Sequence, residues 1–145
     1  MREQGFTILE VLVAISILTV GLLAIASLQG YALNGNAQAG AITGAVAVVS
    51  DRAEKLAALP LDAPELSDAD SDGVDGLGDT GFDNNPFTTF DADFADLGVK
   101  SGHLSYDVYW NVAEDEPKHG NKKIQIIVTW TWKGQEKSLS LVSIR

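Results

Sequence analysis

Residues 5–28 form an almost unbroken apolar run, Gly-Phe-Thr-Ile-Leu-Glu-Val-Leu-Val-Ala-Ile-Ser-Ile-Leu-Thr-Val-Gly-Leu-Leu-Ala-Ile-Ala-Ser-Leu, broken by one charge, Glu10. From Phe6 to Leu28 there are 23 residues. At about 1.5 Å rise per residue a helix of that length spans roughly 35 Å, enough to cross a hydrocarbon core of about 30 Å. A lone carboxylate inside such a span costs roughly 2.5–3.5 kcal/mol at a helix centre and less near the interface. Glu10 therefore calls for a partner.

The chain has 145 residues, which accommodates one domain plus an anchor and leaves a small soluble core. It has no cysteine, which excludes disulfides, thiol redox chemistry and Cys-based zinc sites. Its charge is uneven. Between Asp62 and Asp96 there are eleven Asp or Glu and no Lys or Arg, so this segment carries −11 of a net −10 and the remainder sums to +1. There is no basic stripe, and the acidic half repels duplex nucleic acid. Taken alone, the acidic run reads as a solvated loop.

The head of the chain is unlike an ordinary secretory signal, because the apolar run is too long. Read from the residues alone it is a single-pass anchor, with Arg2 favouring a short cytoplasmic tail and Glu3 weakening that bias. Gly5-Phe6-Thr7-Ile8-Leu9-Glu10-Val11-Leu12-Val13-Ala14 resembles the cleavage and methylation motif of type IV prepilins and pseudopilins. The resemblance implies cleavage after Gly5 by a prepilin peptidase and N-methylation of the new terminus, Phe6. It also implies that Glu10 pairs with the terminal amine of a neighbouring subunit. The expected partners are other pilin subunits in a helical filament and an inner-membrane assembly platform. The chain would sit in the inner membrane first, then in a surface pilus or a periplasmic pseudopilus.

Physical chemistry agrees with the pairing. Glu10 lies four residues, about one helical turn, from Phe6. A carboxylate and an ammonium from adjacent helices offset each other's desolvation, whereas either alone costs several kcal/mol.

The helix is expected to run to about Leu59 and to stop before Pro60. Ile42, Val46, Val49, Ala53 and Leu56 recur at helical spacing and read as the stripe that faces a core. Gly30, Gly35, Gly40 and Gly44 suit close helix packing, or else local melting. Further on, Leu104, Tyr106, Val108, Trp110 and Val112 alternate with polar residues, and Ile124, Ile126, Val128, Trp130 and Trp132 share one face of a second run. Lys133-Gly134-Gln135 turns into a third strand, Lys137 to Ile144. The tryptophans read as core and sheet-face packing.

The expected fold is α+β and pilin-like, a long amino-terminal helix against an antiparallel sheet of three to four strands. The expected segments are a leader (1–5), a membrane or filament-core helix (6–28), its amphipathic continuation (29–59), an acidic loop region (60–103) and the sheet (104–145). Within the family, Gly21-Leu22-Leu23-Ala24-Ile25-Ala26 and the strand from Ile124 to Trp132 look most like the minor pilins called PilV.

Asp68-Ala-Asp70-Ser-Asp72-Gly73 has the spacing of a calcium loop, with the Val74 carbonyl and Asp79 as the next ligands. Asp79 is one methylene shorter than the usual Glu, and Thr80-Gly81-Phe82-Asp83-Asn84-Asn85-Pro86 reads as loop, so the segment is not an EF-hand. Ca²⁺ is therefore a possible cofactor beside the alternative of a plain surface loop. His103 and His119 stand alone. Asp91 and Asp93 form an acidic pair of a kind that composition alone produces. No enzyme is expected. The function read is a structural subunit, a PilV-like minor pilin of a type IV pilus. The alternatives are a pseudopilin of a type II secretion system and a membrane-anchored calcium- or ligand-binding module.

Overall fold

The computed structural model describes residues 7–81 and 91–145. One helix, α1 (Ile8–Ala58), is followed by two short 3-10 turns, Pro64–Leu66 and Asp75–Gly78. Four strands follow: β1 (Phe94–Ser101), β2 (Leu104–Glu114), β3 (Lys122–Trp132) and β4 (Gln135–Ile144). The strands pair antiparallel in the order β1-β2-β3-β4, a simple meander. The α+β, pilin-like layout read from the sequence is the one observed.

The chain divides into two units between Ala39 and Gly40. In the first, α1 is exposed along its whole described length, Ile8, Leu9, Leu23 and Leu33 included. The helix passes unbroken through Gly30, Gly35 and Gly40, so the melting alternative is not what this structure adopts. In the second unit, the helix from Gly40 onward packs on the sheet. Tyr106, Val108, Trp110 and Val112 of β2 and Ile124, Ile126, Val128 and Trp130 of β3 meet Ala41, Ala45, Val48, Val49 and Leu56. Trp132 is partly buried beside them.

The buried helix face differs from the expected stripe. Val49 and Leu56 are buried and Ala53 is partly so, but Ile42 and Val46 remain 42% and 45% exposed while Ala41 and Ala45 are buried. Tyr106 decides this. Its hydroxyl donates to the Ala41 carbonyl at 2.8 Å, and a Cβ on Gly44 would overlap that hydroxyl. Only small side chains admit an aromatic ring so close to helical backbone. Beside Tyr106, at Ala41, Gly44 and Ala45, residue size rather than hydrophobicity selects the face.

The helix stops at Ala58, one residue short of the expected Leu59. Arg145, at the far end of the chain, donates from Nη1 to the Leu56 and Leu59 carbonyls (2.7 and 2.8 Å) and so caps the helix end, where the Leu56 carbonyl also accepts from Leu59 N–H (3.3 Å). The segment 60–103, expected as loop, also supplies β1. Register slips between Asp96 and Val99, one extra residue opposite β2, and Gly98 adopts φ +75° there. A bulge of this kind breaks the period-two pattern by which strands are read from sequence. The turn into β4 is two residues, Lys133-Gly134, both with positive φ, as a type I′ hairpin requires.

Candidate functional site

Gly5 and Phe6 lie outside the described residues. Glu10 occupies the first turn of α1, where the positive end of the helix dipole favours a carboxylate. Its backbone N–H donates to Thr7 Oγ1 (3.3 Å), and Val11 N–H donates to the Thr7 carbonyl (3.2 Å). Thr7-Ile8-Leu9-Glu10 is therefore the Thr-x-x-Glu spacing of a capping box. That signal is present in the sequence and gives Glu10 a second, local relevance.

Beyond Glu10 there is no charged residue until Asp51. The hydroxyls of the apolar stretch are bonded within the helix: Ser16 to the Leu12 carbonyl (2.8 Å), Thr19 to Ile15 (2.8 Å) and Ser27 to Leu23 (3.0 Å). By length and composition the helix can cross a membrane. Glu10 is the one charge on that surface among the described residues.

The acidic loop is the second candidate. It is held to the sheet at several points. Leu66 is fully buried, its carbonyl accepts from Lys122 Nζ (2.6 Å), and the Glu65 carbonyl accepts from Trp110 Nε1 (3.0 Å). Asn111 of β2 is also buried. Its Nδ2 donates to the Leu77 and Asp79 carbonyls (3.0 Å each), and its Oδ1 accepts the Asp93 N–H (3.0 Å). Asp93, just ahead of β1, is 9% exposed. One of its oxygens accepts from Ala69 N–H and the other from Val112 N–H (2.7 Å). A carboxylate thus continues the edge pairing of β2 where β1 has not yet begun.

Oxygens of Asp68, Asp70 and Asp93 lie within 4.8 Å of one another. Asp72 stands beside them. Its backbone N–H donates to Asp70 Oδ1 (3.3 Å), and its carboxylate fills the space that a Cβ on Gly76 would need. Asp68 Oδ1 accepts from Ser71 N–H (2.8 Å). The Oδ2 atoms of Asp70 and Asp72 are buried and accept no hydrogen bond among the described residues. Burial, then the neighbouring Asp70 charge, pushes the Asp72 carboxyl up to about 7. Burial pushes Asp93 up to about 6 against the lowering effect of its two amide donors. Burial raises Asp68 and Asp79 as well.

Of the residues read as a calcium loop, Asp68, Asp70 and Asp72 are gathered. The Val74 side chain is about half exposed ahead of the second 3-10 turn. Asp79 follows that turn, its carboxylate outside the close group but near enough for the Asp70 charge to raise it. Asp93 was missed as a member of this cluster, since nothing in sequence spacing links it to Asp68, Asp70 and Asp72, in a distant part of the chain. His119 pairs with Asp115 (2.9 Å) at the exposed end of β2, and His103 sits in the β1–β2 turn.

Residues 1–26 match the family model described as the prokaryotic N-terminal methylation motif. No curated protein and no solved structure gives a significant match to the chain. With Glu10 in the first turn of a membrane-length helix, the chain carries the amino-terminal methylation motif of prokaryotic prepilin-type proteins.

Proposed function

We propose that the chain is a structural subunit of a type IV pilus, a minor pilin of the PilV-like kind. It is cleaved after Gly5 by a prepilin peptidase, methylated on the Phe6 amine, and taken from the inner membrane into the filament through an assembly platform. The observation that carries this reading is Glu10, the one charge among residues 8–28 of the helix, where the hydroxyls of Ser16, Thr19 and Ser27 are bonded internally. In a bundle of such helices the Phe6 ammonium of a neighbouring subunit is its natural counter-charge. The resemblance of residues 21–26 and 124–132 to PilV favours a pilus over a secretion pseudopilus.

Two measurements test it. Mass spectrometry of the mature chain should find methylated Phe6 at its terminus, and an intact Met1 in a host with active prepilin peptidase overturns the filament reading. Glu10→Gln keeps the residue type that a capping box accepts but removes the charge. If Glu10 registers subunits, Glu10→Gln and Glu10→Ala should both be cleaved normally and both lose incorporation. Breaking a buried ion pair costs about 3–5 kcal/mol, enough to reduce incorporation more than a hundredfold. Normal incorporation of Glu10→Gln would reduce Glu10 to a helix cap. The filament type is read from phenotype: deletion should abolish surface pili and leave type II secretion intact.

A further inference from the structure

We propose that Asp68, Asp70, Asp72 and Asp93 form a calcium site that fastens the acidic loop to the edge of β2. This goes beyond the DxDxDG spacing of the sequence, because the fourth carboxylate comes from a distant segment and is already hydrogen-bonded to β2. It does not depend on the filament reading.

The cluster alone would say little, since acidic groups crowd this loop. The decisive feature is the pair of orphaned oxygens. Asp70 Oδ2 and Asp72 Oδ2 are shut off from solvent and meet no donor among the described residues. A buried acceptor left without a partner bears its full desolvation cost, more so when charged. None of the ion pairs among the described residues reaches these carboxylates. A proton shared between Asp70 and Asp72 would satisfy one contact and leave the charge of Asp68 and Asp93 alongside it. A cation seated among Asp68, Asp70 and Asp93, whose oxygens lie within 4.8 Å of one another, with Asp72 beside them, answers this charge directly.

The donor set selects the metal. Every side-chain donor is a carboxylate oxygen, with no nitrogen or sulfur, which suits hard cations and not zinc or copper. Calcium accepts six to eight oxygens at about 2.3–2.6 Å in flexible geometry, whereas magnesium demands a near-ideal octahedron and keeps its waters. The Asp93 oxygens each accept one backbone N–H and keep a further lone pair for an ion. Asp93 would then couple metal binding directly to the start of β1.

The test uses the full chain in detergent micelles at about pH 7.5, stripped with a chelator and titrated with CaCl₂. Saturable binding is expected, at or tighter than the roughly 10⁻⁴–10⁻³ M typical of extracellular sites. The melting temperature should rise by about 5–10 °C at about 5 mM Ca²⁺. Asp93→Asn loses an acceptor of two backbone amides and is a poor sole probe, so Asp70→Asn and Asp72→Asn are the informative variants. Each should melt at or above the metal-free parent, because like charges are removed, and each should lose the calcium response. A folded parent that shows neither heat nor a melting shift up to about 10 mM Ca²⁺ overturns the site. So does a calcium response that survives both Asn substitutions.

Discussion

At Gly44 the Tyr106 hydroxyl comes against the α1 backbone, donating to the Ala41 carbonyl. Gly44→Ala should destabilise the second unit by about 1–3 kcal/mol despite the better helix propensity of alanine, because overpacking outweighs propensity. Tyr106→Phe should cost about 1 kcal/mol for its hydrogen bond and remove much of the clash. The double variant should therefore lose less than the sum, a coupling that urea unfolding in detergent would measure. The aspartates make a second residue-scale prediction. Asp72 and Asp93 carry pKa values raised to about 7 and about 6 from an ordinary 3.8. The native state then binds more protons than the unfolded chain across that interval. Their contribution is fully present below about pH 4 and is lost as pH rises through 6 to 7. In chelator, the melting temperature should be higher at pH 5 than at pH 8, and Asp72→Asn should flatten the difference. These features were the least legible in the sequence. Hydropathy ranks Ile42 and Val46 above Ala41 and Ala45, and it takes the position of Tyr106 to reverse that order.

At the scale of elements, β2, β3 and β4 were legible because period two survives along them. β1 was not, since Asp96, Gly98 and the bulge between them look like loop chemistry, and its pairing with β2 is a property of the fold. The helix end was legible from Pro60, but its cap was not, because Arg145 comes from the other end of the chain. Arg145→Ala should cost about 1–3 kcal/mol and speed amide exchange in the last turn of α1, while β2 and β3 stay protected. Asn111 joins the loop to the sheet through three hydrogen bonds of one buried side chain. Asn111→Ala leaves two carbonyls and an amide without their partner. It should loosen residues 68–79 to proteolysis at a total cost of about 2–4 kcal/mol, more than a surface substitution would.

For the molecule as a whole, no described residue before Ala41 is buried, so the core is complete in the second unit. A chain beginning at Gly30 should be soluble without detergent and melt within a few degrees of the full chain, as circular dichroism would report. Cooperative melting lost on truncation would show that the apolar half contributes to the fold itself. The membrane-length helix and its single carboxylate were legible from the almost unbroken apolar run of residues 5–28, because bilayer thickness is a constraint that local sequence must meet.

The internal bonding of Ser16, Thr19 and Ser27 bears on how such a helix changes surroundings. A segment whose hydroxyls already bond its own carbonyls carries its hydrogen bonding with it and asks nothing polar of whatever surrounds it. Lipid tails and, in the proposed filament, the flanks of sister helices are then nearly equivalent solvents for residues 11–28. Passage from one to the other is close to free along this surface, and the energetic difference between the two settings concentrates at the one turn that holds Glu10.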